Sequence, residues 1–333
     1  MRMNFSAKTV GFTVASVFLL FYLVGVYWSF DVASFDVKEE VVAAAAADNV
    51  SPVVGYTTTT TLIKVASSIL DKPGGYISND ALPPGVFLDN MPAWEFGVLE
   101  MVRDMALVLR KDFSRSQSQS LENIHIQKAQ PKFNIDNRSW AMPSAESEYR
   151  KAIDSLYLYR NALVGISNVK NDSAQFYARA DNLTSYLDEI QKRLGSYSQK
   201  LSASVGKDKI NTDLAGDSEA RQSTNEGSHS QVRTSWWKLD DVFYESRGAA
   251  WALLHFLKAV EIDFDSVLKN KNATISLQQI IRELEASQET LWSPMVLNGD
   301  GFGVLANHSL VMANYISRAN AALIDLNELL RKG

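Results

Sequence analysis

The chain contains no cysteine in its 333 residues. That absence excludes disulfides, thiolate nucleophiles, iron–sulfur clusters and cysteine-bound zinc together. Histidine is scarce: His125, His229, His255 and His308 are the whole supply. No HExxH or paired-histidine spacing joins them, and no GxSxG occurs, so zinc hydrolases and elbow-type serine hydrolases have no support. An excess of positive charge is missing too. The 33 basic side chains stand against 38 acidic ones, for a net charge of −5, which argues against a nucleic-acid binder and its basic footprint. Apolar side chains are not in short supply. A hydrophobic share of 46% beside 21% charged residues excludes wholesale disorder and leaves material for one large domain or two small ones.

What the chain does have is one long apolar run. Arg2 and Lys8 precede an uncharged stretch whose apolar heart is Val10–Trp28. Nineteen helical residues reach ~29 Å, about the hydrocarbon thickness of a bilayer. A cleaved signal peptide has a shorter apolar region followed at once by small residues. Here the run ends in Tyr27-Trp28, aromatics suited to a membrane interface, and Ala43–Ala47 lies too far on for cleavage. The reading is an uncleaved anchor over 10–30, with 1–9 cytoplasmic because Arg2 and Lys8 outweigh the acidic flank of Asp31, Asp36, Glu39 and Glu40. Removing that +2 from the net −5 leaves −7 on the exported part. In a bacterium this would be a periplasmic domain at the inner membrane, where a cysteine-free chain avoids wrong disulfides.

Beyond the anchor, residues 31–56 read as a tether, acidic and then alanine-rich, and 57–333 as an all-α domain. Helical spacing runs through 57–72, 93–111, 145–169, 240–268, 277–291 and 304–330, with polar loops at 112–143 and 202–234. Ser144 is placed to cap the helix after it, with Glu146 and Glu148 in its first turn. The most regular pattern is Phe176, Ala180, Leu183, Leu187, Ile190, Leu194, Tyr197, Leu201. Its 4-3 alternation is the seam of a coiled-coil hairpin or bundle helix, with the 145–169 helix as expected partner. The string AAWALLHF (249–256) is apolar on most faces and should be the most buried helix.

Candidate chemistry is thin. Asp241 and Glu245 are one turn apart and could bind a metal or share a proton, with Arg247 facing them; the plainer reading is acids at a helix start. Glu261, Asp263 and Asp265 near a helix end could bind a divalent cation; the plainer reading is solvated carboxylates. The glycine-rich 292–303 stretch could cradle an anion and brings Asn298, Asp300 and His308 near one another in sequence. Its spacing fits neither a phosphate loop nor a calcium-binding helix–loop–helix. No catalytic residue, metal or cofactor is expected.

The strings PSAESEYRKAID, RADNL, WWKLDDVFYESRGAAWALLHFLKAVEIDF and SPMVLNGDGFGVLANHSLVMANYISRANAA resemble a bacterial family of uncharacterised, membrane-anchored proteins, the domain of unknown function numbered twenty-three thirty-three. The resemblance spans nearly the whole chain. It implies a bacterial inner-membrane protein and carries no activity, ligand or catalytic residue with it. The expectation is a single-span inner-membrane protein with a periplasmic helical bundle that serves as a non-enzymatic scaffold or interaction protein. Its partners would be the membrane and an unidentified envelope protein or a second copy of itself. The alternative is a cell-envelope enzyme or solute-binding domain using carboxylates near Asp241, Glu245, Asp300 and His308.

Overall fold

Helix α8, Leu239–Asp263, is the axis around which the other elements pack. Its middle, Ala249–Leu257, is apolar on every side and buried throughout, as a helix with no polar face must be. In a computed structural model the chain is described over residues 7–116, 120–166, 173–210, 229–290, 296 and 308–332. Helix α4, Asn90–Val108, lies along α8 in the tightest contact of the fold. A Cβ added at Gly97 would fall 1.9 Å from the Glu245 carbonyl oxygen, and one at Gly248 2.1 Å from that of Trp94. The two helices touch backbone to backbone, which only glycine permits.

Helix α3, Tyr56–Asp71, packs on α8, α4 and α6 (Ala145–Leu163). Ser144 caps α6 by accepting from the Ser147 N–H, as its position before Glu146 and Glu148 indicated. Helix α5, Ile124–Phe133, covers α6. This helix, and the π turn Leu109–Phe113 that ends α4, replace part of the polar loop expected over 112–143. Phe113, Ile126, Ala129 and Phe133 drive the change, since all four are buried in the core. The short α9, Asp265–Asn270, and α10, Thr274–Ala286, finish the α8 side.

The 4-3 stripe lies on α7, Ala180–Ser202, with Leu183, Leu187, Ile190, Leu194, Tyr197 and Leu201 all buried. Its partner is α11, His308–Arg331, and not the 145–169 helix. The reason is a matching stripe, Met312, Ile316, Ala319, Leu323, Leu326 and Leu330, also spaced 4-3-4-3-4 and buried. Val311 and Leu329, apolar residues one position before the two ends of this stripe, are exposed. The expected α6–α7 hairpin is therefore replaced by an α7–α11 pair between segments more than a hundred residues apart.

Two more corrections concern segments read as unstructured. Within the supposed tether, Val37–Asp48 forms α2, capped by Asp36, with Val37, Val41 and Ala45 buried against Tyr56 and Ala259. That i, i+4, i+8 stripe is helical spacing hidden in an alanine-rich run. Within 202–234, β1 (Lys207–Ile210) and β2 (His229–Val232) pair antiparallel, the one departure from helix among the described residues. Helix α1, Ala7–Trp28, is exposed along nearly all its length. It is long and apolar enough to cross a membrane, and its exposure is the opposite of what a core helix would show.

Candidate functional site

The structure separates the residues that the sequence placed together. Asp240 and Asp241 occupy the first turn of α8, where Asp240 accepts from the Asp241 N–H at 3.1 Å. Partial burial pushes the Asp241 carboxyl up to about 6, and repulsion from Asp240, Asp89 and Glu245 adds to it. Glu245 is taken by Lys200 of α7 at 2.9 Å. Arg247 turns away from these acids. Its guanidinium donates to the carbonyls of Ser287, Gln288 and Glu289, closing the end of α10, and meets Asp31 at 3.1 Å. A buried guanidinium has five N–H groups to satisfy, and the helix-end carbonyls supply acceptors for them. His308 stands edge-on to Phe243 with ring centroids 6.4 Å apart. Asn298 and Asp300 lie outside the described residues. Among the described residues no three His, Asp or Glu side chains converge as a metal site would require.

The 261–265 acids divide as well. Asp263 is buried rather than solvated, and its carboxylate accepts from the Thr58 N–H and hydroxyl, both at 2.7 Å. Gly55 precedes α3 and offers no side-chain cap, so Asp263 supplies one from α8. Glu261 accepts from Gln278, and Asp265 pairs with Lys269 one turn on.

The constellation missed by sequence reading is the junction between α1 and the domain. Trp28 stacks so closely over Gly74 that a Cβ there would lie 2.6 Å from the indole, and Gly74 holds φ +85°. One turn earlier, Gly25 abuts Pro84 and Leu88. Past the helix, Asp31 meets Arg247. Phe35 then stacks on His255 with centroids 4.0 Å apart and donates its N–H to Nε2 at 3.1 Å. His255 Nδ1 faces the Trp251 carbonyl at 2.7 Å, so the neutral ring donates at Nδ1 and accepts at Nε2. Burial holds its pKa down at about 4, with Lys258 adding to the effect. Farther on, Asp48 at the end of α2 takes Arg160 of α6 at 2.6 Å and the Tyr56 hydroxyl at 3.0 Å. From Gly25 to Asp48 the chain is thus fastened to α8, α6 and the 74–88 loop. The available signal was an apolar or charged residue every few positions, Asp31, Phe35, Val37 and Val41, in a stretch otherwise read as spacer.

The chain matches, over residues 2–333, the family described as uncharacterized protein conserved in bacteria, DUF2333. It belongs to that family. No curated protein and no solved structure matches it. Family membership and the candidate span together give a bacterial protein with one N-terminal helix able to cross a membrane and an α-helical body.

Proposed function

We propose that this DUF2333 protein is a bitopic protein of the bacterial inner membrane, N-terminus cytoplasmic, whose periplasmic helical domain is a non-enzymatic scaffold for an envelope partner. The observation that carries the reading is the fastened junction. A fixed attitude toward the bilayer suits a surface that must meet another membrane protein. Asp31–Arg247 and Phe35–His255 supply that attitude by tying the segment after the span to the most buried helix of the domain. Two of the carboxylates singled out in the sequence are engaged in structural work: Glu245 with Lys200, Asp263 with Thr58.

A second reading, an enzyme or solute-binding domain, is favoured by one observation, the Asp241 carboxyl raised to about 6. Such a group suits proton transfer, but its charged neighbours are three acids, Asp240, Asp89 and Glu245, and one lysine, Lys238.

The absence of cysteine makes the test direct. Single cysteines replace Asn4 and Met142 in otherwise native full-length protein, in cells with a permeabilised outer membrane. A membrane-impermeant maleimide should label Met142→Cys and spare Asn4→Cys; the reverse pattern sinks the topology. In-cell crosslinking then asks for a near-stoichiometric envelope partner. Recovery of the protein alone or only with itself, together with loss of function on Asp241→Asn, would turn the case to the second reading.

A further inference from the structure

The loop between α3 and α4 contains an uncharged run, Ala81–Leu88, of sequence ALPPGVFL, bounded by Asp80 and Asp89. Three of its large apolar side chains are not folded inward, although Leu88 packs against the core. Leu82 is 76% exposed, Val86 51% and Phe87 75%. Water-facing apolar residues scattered singly need no explanation, but three within one eight-residue run do.

Where the loop sits supplies the explanation. Pro84 and Leu88 abut Gly25, which lies inside the apolar run and three residues before Trp28. At 1.5 Å per residue that contact is ~4.5 Å deeper than the end of the helix. If α1 crosses the bilayer, whatever touches Gly25 is below the level at which the helix emerges.

The backbone of the loop is prepared for such a position. Pro83 and Pro84 carry no N–H, and the N–H groups of Val86, Phe87 and Leu88 donate to Leu82, Pro84 and Gly85 carbonyls at 2.9–3.2 Å. Immersed backbone must satisfy itself, and this one largely does. The end of α1 has the make-up of an interface: Tyr27 and Phe30 stand edge to face there and are exposed, aromatic side chains of the kind enriched at the headgroup level of membranes.

We infer that Leu82–Leu88 is a membrane-inserted wedge: it enters the lipid interface beside α1, with Leu82, Val86 and Phe87 in the acyl boundary. The occupant of this apolar surface is lipid, and the domain therefore rests on the bilayer at two points. The inference depends on α1 being a membrane span, as proposed above.

The test places single cysteines at Phe87, Phe18 and Ile275 in the full chain, labels each with a polarity-sensitive fluorophore, and reconstitutes the proteins in phosphatidylcholine vesicles. Phe18 lies in the apolar run, and Ile275, 75% exposed, lies on α10, whose main contacts are with α8, α9 and α11. The expected result is blue-shifted emission at 87 and 18, quenched by lipids bearing a nitroxide on the acyl chain, with neither effect at 275. Quenching at 18 with a probe at 87 that behaves like 275 overturns the wedge and leaves the span standing. No quenching at 18 removes the span, and the wedge with it. A Val86→Cys protein repeats the measurement, so one perturbed label does not decide the matter.

Discussion

Two helix pairs hold this domain together by opposite means. In α7–α11, two 4-3 stripes of buried, mostly aliphatic side chains face each other along the length of the pair. In α4–α8, Gly97 and Gly248 bring the backbones into direct contact, each glycine beneath a carbonyl of the other helix. The first pair is held by what its side chains add, the second by what its glycines leave out. Removing atoms therefore harms one pair, and adding them harms the other.

The strongest way to break the comparison is to charge the seam. Leu187→Asp with Leu194→Asp puts two carboxylates into a water-free stripe with no cation opposite, a cost of several kcal/mol for each unpaired charge. With a domain stability typically about 5–15 kcal/mol, the protein should lose its cooperative unfolding transition. A folded monomer would mean that the seam serves self-association and is not core.

Next comes the smallest possible addition to the other pair. Gly97→Ala or Gly248→Ala should each destabilise by about 3 kcal/mol or more, because a backbone must move rather than a side chain. Read by denaturant midpoint, the double variant should cost less than the two singles together, since helices already parted by one methyl accommodate the second.

Acid separates the regions in a different way. Folded His255 remains neutral down to about 4, whereas the unfolded chain takes up its proton near 6.5. Its contribution is thus complete above about pH 6.5 and is lost as pH falls toward 4, by as much as about 3 kcal/mol. Amide exchange should show segment 31–36 and the middle of α8 losing protection before α7 and α11. Simultaneous loss in both regions would contradict the assignment.

The smallest effect has the opposite sign. Gly195, in the interior of α7, meets nothing closer than the Asn320 side chain, 4.0 Å from an added Cβ. Gly195→Ala should raise stability by about 0.5–1 kcal/mol, the ordinary helix preference for alanine. A loss there would show that the α7 seam is as close as the glycine contact.

The same contrast explains what could be read from sequence. Side-chain packing leaves a period, so the α7 stripe was legible down to its individual residues. Its partner was not, because the 4-3 register of α11 starts at Met312 and overlaps a second, exposed set through Val311 and Leu329. Backbone contact leaves no period, and nothing in GVLEM or SRGAA marks Gly97 and Gly248 as facing each other. Polar fastening is no more visible: Arg247 lies near Glu245 in sequence but spends its charge on Asp31, 216 positions away. Burial of α8, the cap at Ser144 and the apolar run of α1 were legible because each depends only on neighbours in the chain.

Asp263 carries one further consequence, in the order of events during synthesis. Helix α3 opens with five consecutive threonines, all buried, among the weaker helix formers. Its first turn is finished by a carboxylate made 205 residues later. A growing chain therefore emerges with the start of α3 incomplete and keeps it so until α8 arrives. Elements made first are completed last, and biogenesis of this protein includes a long interval in which the start of α3, in its N-terminal third, exists without its cap.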